Sequence, residues 1–116
     1  MNDQHKLGKR GEDAAEAFLL VKGYQILCRN YRYQKAEVDI VTSYNNILVM
    51  IEVKTRKSNQ FGNPEDFVSK RKQELFKEAS EAYLNEHNLD YEVRFDVIAI
   101  TGTDHPFQIE HLEDAF

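Results

Sequence analysis

Three observations along the 116 residues predict an α/β domain with a mixed sheet. Apolar side chains recur at helical spacing in two long stretches. Four shorter segments are rich in Val, Ile, Tyr and Phe and alternate as strands do. The order is helix, three strands, helix, strand, an arrangement that buries its apolar faces as helices packed on a sheet.

The first helix is expected over Gln4–Lys22, with Gly23 as its stop. Leu7, Gly11, Ala14, Ala15, Phe18 and Val21 form its apolar stripe. Glu12 stands at the edge of that stripe beside Ala15 and Leu19, so it reaches the rim of whatever the helix covers, whereas Glu16 points toward water. Tyr24–Tyr33 follows as a strand with β-favouring aromatics. Ala36–Thr42 and Ile47–Lys54 are the next two strands. Ser43-Tyr44-Asn45-Asn46 joins them as a tight turn, because asparagine tolerates positive φ.

Lys57–Gly62 reads as a loop. Asn63 suits a helix N-cap, Pro64 the first helical position, and Glu65 and Asp66 the first turn. The second helix runs to about His87 on a stripe of Val68, Leu75, Phe76, Ala79 and Tyr83. Lys72 falls in the middle of this stripe. A lysine there is costly unless it is paired, reaches a polar cleft or snorkels from a helix end. In the last strand, Tyr91–Thr101, Tyr91, Val93, Phe95, Val97 and Ala99 share one face. Arg94 and Asp96 share the other with Ile98 and Ile100. The second helix acts as a crossover, so this strand is expected parallel to the third. After Pro106, Phe107–Ile109 is expected as a short edge strand, and the acidic end Glu113–Phe116 as a mobile tail of one domain spanning 1–116.

A composition of 41% hydrophobic and 30% charged residues is that of a globular chain, not a disordered one. The polar start and the lack of a long apolar run argue against a secretory signal and a membrane span, and so for the cytoplasm. The lone Cys28 lies among strand residues and reads as a buried thiol. The net charge of −5 speaks against a nucleic-acid partner until its distribution is considered. Residues 1–58 carry 10 Lys/Arg against 7 Asp/Glu, and residues 59–116 carry 5 against 13. A basic surface on the first half can bind phosphates on an acidic protein.

A turn centred on Asn45 and Asn46 puts Asp39 opposite Glu52 and Glu37 opposite Lys54, with Val38 facing Val53 and Ile40 facing Ile51 on the other side. Two carboxylates directly opposite each other destabilise a sheet. Such a pair with a lysine one strand-step away suggests a cation between the acids. Hard oxygens from Asp39 and Glu52 suit Mg²⁺ or Mn²⁺, and the absence of a His/Cys cluster argues against zinc. Lys54 can then orient or help deprotonate an attacking water, and phosphodiester hydrolysis uses all these parts. The plain alternative is a set of surface ion pairs, each worth only about 0–1 kcal/mol.

These residues resemble the PD-(D/E)XK nuclease superfamily, with Asp39 and Glu52-Val53-Lys54 on the second and third strands. Ordered blocks over residues 6–101 resemble more closely the small bacterial YraN-like family. The blocks are Gly8-Lys9-Arg10-Gly11-Glu12, Gly23-Tyr24-Gln25-Ile26-Leu27, Glu37-Val38-Asp39, Glu52-Val53-Lys54-Thr55-Arg56, Phe61-Gly62-Asn63-Pro64 and Arg94-Phe95-Asp96-Val97. That family is considered similar to archaeal Holliday-junction resolvases, which also carry a glutamate on the first helix. The resemblance implies a restriction-endonuclease-like three-layer α/β core with Glu12, Asp39, Glu52 and Lys54 as the catalytic set. Glu37 and Asp96 would support that set. Arg56, Lys57, Lys72, Lys9 and Arg10 would contact substrate phosphates, and a homodimer is implied for cutting two strands. Val38 stands where the superfamily has proline, and Ala36 where the family has glycine.

Three functions follow as expectations: a Mg²⁺- or Mn²⁺-dependent nuclease acting on DNA, branched DNA included; a non-catalytic nucleic-acid-binding module; and a protein-interaction domain using the acidic second half.

Overall fold

In a computed structural model the described residues are 3–58 and 68–116. The elements are α1 (Asp3–Val21), β1 (Gln25–Tyr33), β2 (Ala36–Tyr44), β3 (Ile47–Arg56), α2 (Lys70–His87), β4 (Glu92–Thr101) and β5 (Gln108–Leu112). They form a mixed five-stranded sheet in the order β1-β2-β3-β4-β5, with α1 on one face and α2 on the other. This is the restriction-endonuclease-like topology. Only β3 and β4 run parallel, because α2 carries the chain back between them. Among the described residues no helix is long and apolar enough to cross a membrane.

Two cores sandwich the sheet. Ala15 and Leu19 of α1 pack with Tyr24, Ile40, Val49, Ile51, Ile98 and Ile100. Phe76, Ala79 and Tyr83 of α2 pack with Ala36, Val38, Val41, Leu48 and Met50. Val21, expected in the α1 stripe, is instead 89% exposed, and Leu19 takes the core position. Val21 is the last residue of α1, whereas Leu19 follows Ala15 by four on the packed face. Gly11 lets α1 approach β3 closely, since a Cβ there would lie 2.2 Å from Thr55 Oγ1. Asn45 and Asn46 both take positive φ, 50° and 61°, as the tight hairpin turn requires. Ala36 needs no such conformation; the positive φ nearby falls on Gln34.

The second helix begins later than its composition suggests. Ser69 is its N-cap and accepts the Lys72 N–H at 3.1 Å, while the expected cap at Asn63 lies outside the described residues. The C-terminal end does not trail away as expected. The Ala115 N–H donates to the Phe95 carbonyl at 2.8 Å, and Phe116 rests on Phe76 and Phe95. Its terminal aromatic ring gives the acidic segment a place to bury apolar surface.

Candidate active site

The β2–β3 ladder keeps the expected register from Tyr44–Ile47 to Ile40–Ile51 and stops there. The expected pairs Val38–Val53, Asp39–Glu52 and Glu37–Lys54 are not ladder partners. The reason is local to Asp39. Val38 packs on the α2 side, Ile40 on the α1 side and Val41 on the α2 side again, so the alternation of β2 breaks between Val38 and Val41. Across on β1, Asn30 has a φ of 53° between the pairs Arg29–Ile40 and Tyr31–Val38. Where the strands part, the Asp39 carboxylate replaces a backbone acceptor and takes the Val53 N–H at 2.7 Å. This bond brings Asp39 to the residue beside Glu52.

Glu52 is buried, at 4% exposure, on the face covered by α2. Its Oε1 receives two ammonium groups, Lys72 Nζ at 2.5 Å and Lys54 Nζ at 3.3 Å. Its Oε2 is buried without a hydrogen-bond partner. Such an atom forfeits its hydration for nothing in return unless a ligand supplies the missing contact. Asp39 reflects the same deficit: burial, then the charge of Glu52, pushes its carboxyl up to about 7 against the opposing Val53 N–H. An orphaned carboxylate oxygen beside a second carboxylate is a donor set that fits Mg²⁺ or Mn²⁺, cations that keep several waters and need only one or two protein carboxylates. Among the described residues no group of three or more His, Cys, Asp or Glu side chains is placed to hold a metal ion.

The remaining sequence-predicted residues divide by position. Lys72 projects from the first turn of α2 directly onto Glu52. Glu12 adds to the negative potential at Asp39, but its carboxylate is held by Arg29 Nη2 at 3.4 Å, while Arg29 Nη1 holds Asp13 at 2.7 Å. Glu37 lines the cleft at Asp39 and pairs with Arg32 at 3.4 Å rather than with Lys54. Arg56 and Lys57 lie at and just beyond the end of β3, half-buried and exposed respectively. Lys9 and Arg10 are exposed on α1, and Arg10 donates to the Thr103 carbonyl at 3.1 Å.

Asp96 does not join this cluster. It lies on the α1 side, fully buried, and accepts four hydrogen bonds: two from Arg94, one from His111 and one from the Asp114 N–H. Arg94 also donates to the Tyr24 hydroxyl at 2.6 Å, and Lys22 Nζ caps His111 Nδ1 at 2.7 Å. Strand alternation separated the two faces of β4 without telling which face carried the site. Two residues escaped the sequence reading of the site. Arg29 was legible only as a cation on the strand beneath Glu12. Lys35 was legible only as a cation at the turn that opens β2.

A family model described as "Uncharacterised protein family UPF0102" matches residues 11–100. The chain belongs to the UPF0102 family. This is the YraN-like group whose ordered blocks it resembles. A UPF0102 protein of Flavobacterium psychrophilum is 49% identical over 116 residues, covering 100% of this chain and 98% of that protein. One of Phocaeicola vulgatus is 47% identical over 116 residues, with 100% and 96% covered. One of Thermodesulfovibrio yellowstonii is 45% identical over 111 residues, with 96% of each covered. The UPF0102 match includes Glu12, Asp39, Glu52, Lys54 and Lys72, so the whole cluster lies within the family's extent.

Proposed function

We propose that this protein is a metal-dependent nuclease that hydrolyses phosphodiester bonds in DNA. The observation that carries the reading is the partnerless, buried Oε2 of Glu52 next to an Asp39 that resists ionisation. Asp39 and Glu52 would hold Mg²⁺ or Mn²⁺, which when bound supplies positive charge for a phosphate oxygen and acidifies a water. Lys54, fixed to Glu52 at 3.3 Å, orients the attacking water and stabilises charge developing on the phosphate. Lys72 neutralises Glu52 from α2 and lines the cleft beside Asp39. Glu12 adds negative charge at the rim, with Arg29 fixing its position. Arg56, Lys57, Lys9 and Arg10 provide sequence-independent phosphate contacts, as Lys and Arg do in nucleic-acid binders.

The test is cleavage of branched and linear DNA with Mg²⁺ or Mn²⁺. Asp39→Ala should lower the rate by at least about 100-fold, and Lys54→Ala similarly. Activity unchanged by Asp39→Ala rules the site out. One observation favours a second reading, a binding module without turnover: the Glu12 carboxylate is engaged by Arg29 instead of turning to Asp39 and Glu52. That reading predicts salt-sensitive DNA binding that survives Glu52→Gln and Lys54→Ala, with no cleavage under either metal.

A further inference from the structure

The acids do not lie on an open surface. Asp39 lines a cleft of about 290 Å³ together with Lys35, Glu37, Lys72, Leu75 and Phe76. This is the small end of ligand pockets, which span roughly 300–1,000 Å³. Its lining is divided chemically. Lys35, exposed at the turn before β2, supplies a cation from one side, and Lys72, on α2 and already bonded to Glu52, a shared one from the other. Leu75 and Phe76 supply an apolar wall from α2, Phe76 fully buried beneath and Leu75 partly exposed. Glu37 adds an exposed acceptor at the opening.

Single-strand binders join cations for the backbone to a side-chain face, most often aromatic, for the base; here the accessible face is the aliphatic Leu75, backed by the buried Phe76. In a duplex the phosphates lie outside while the base is held in the stack, so a cleft that takes a base or sugar beside its phosphate admits only a nucleotide that has left the stack. We infer that the cleft receives one unpaired nucleotide of single-stranded or branched DNA. Its phosphate lies toward Lys35 and Lys72, and its base or sugar rests against Leu75. The inference takes its DNA ligand from the nuclease reading and adds the substrate class, unpaired rather than duplex DNA.

The test uses the full chain in EDTA at low salt, with fluorescence anisotropy of a labelled oligothymidylate and of a blunt duplex of the same length. The oligothymidylate should bind at least about 10-fold more tightly. Lys35→Glu should weaken the single strand by roughly 5-fold or more while moving the duplex by less than about 2-fold. Duplex binding as tight as single-strand binding, or an equal loss on both from Lys35→Glu, overturns the inference. The chain contains no tryptophan, so Leu75→Trp places one fluorophore in the cleft. Its emission should be quenched by oligothymidylate and not by duplex. A folded Leu75→Trp protein whose emission ignores the single strand overturns the inference, and if that variant does not fold, Lys35→Glu decides alone. The two readings fail separately. Selective single-strand binding lost in Lys35→Glu, with no cleavage under any metal, sinks the nuclease and keeps the cleft. Asp39-dependent cleavage of duplex as fast as of single strands, indifferent to Lys35→Glu, does the reverse.

Discussion

The sheet carries a carboxylate cluster on each face, and the two differ in how completely their oxygens are met. On the α1 side Asp96 is fully buried and receives four hydrogen bonds from Arg94, His111 and the Asp114 backbone. These donors outweigh burial and hold its carboxyl below the usual range. On the α2 side Glu52 leaves one buried oxygen without a partner, and Asp39 is pushed up to about 7. A buried acid with every lone pair answered is a structural tie. On the α2 side the answer is incomplete: Lys54 and Lys72 meet one oxygen of Glu52, and the other stays buried without a partner beside a half-buried Asp39. Asp96 anchors the chain end to β4, whereas Asp39 ties β2 to the Val53 N–H and Glu52 ties β3 to Lys72 of α2 while leaving its second oxygen unmet.

The largest effect should come from breaking the satisfied side. Asp96→Ala leaves Arg94, whose side chain is 18% exposed, without its carboxylate and unties His111 and the chain end. Removing one partner of a buried pair costs about 3–5 kcal/mol, read as a fall in the urea midpoint. A loss below about 1 kcal/mol would mean that the network does not support the fold.

The unsatisfied side should respond in the opposite direction. The folded protein keeps the Asp39 proton up to about pH 7, while an ordinary aspartate releases it near 3.8. Between those values the folded state binds more protons than the unfolded chain, so stability falls as pH rises, and the penalty is complete above about pH 7. Asp39→Asn keeps an oxygen for the Val53 N–H and removes the charge. In metal-free buffer it should stabilise the protein at pH 8 by about 1–3 kcal/mol and change little at pH 4. The wild-type and variant urea midpoints at the two pH values give the difference directly. A variant less stable than wild type at pH 8 would show that the Asp39 charge is welcome without a cation, and the contrast between the faces would collapse.

How much of this contrast was legible in the sequence depends on the element. The inner hairpin was legible because Asn45-Asn46 sets the turn and the apolar residues from Ile40 to Ile51 alternate in one consistent register. The end of the ladder was not, because alternation extrapolates a regular strand, and here a side chain of β2 takes a backbone donor of β3. Lys72 was legible because a charge inside an apolar stripe demands a partner. Asp96 was legible only in part. Its pattern with Ile98 and Ile100 defines a face, but only the packing of α1 and α2 decides which face holds the site. The start of α2 at Ser69 and the docking of Phe116 were hidden for the same cause: capping and terminal packing depend on contacts distant in sequence.

The smallest effect concerns an acid that belongs to neither class. Glu37 sits at the cleft mouth and pairs with Arg32, with side chains 46% and 75% exposed. Water already meets most of what its charge requires, so the ion pair offsets little desolvation. Glu37→Gln should therefore shift stability by less than about 0.5 kcal/mol at any pH from 5 to 8. It should also leave the pH dependence of Asp39 in place, because burial and the charge of Glu52 are the largest causes that raise that carboxyl. A Glu37→Gln protein that lost the difference between pH 4 and pH 8 would place the deficit at the cleft mouth instead of between Asp39 and Glu52. The distinction between a satisfied and an unsatisfied face would then have to be redrawn around Glu37.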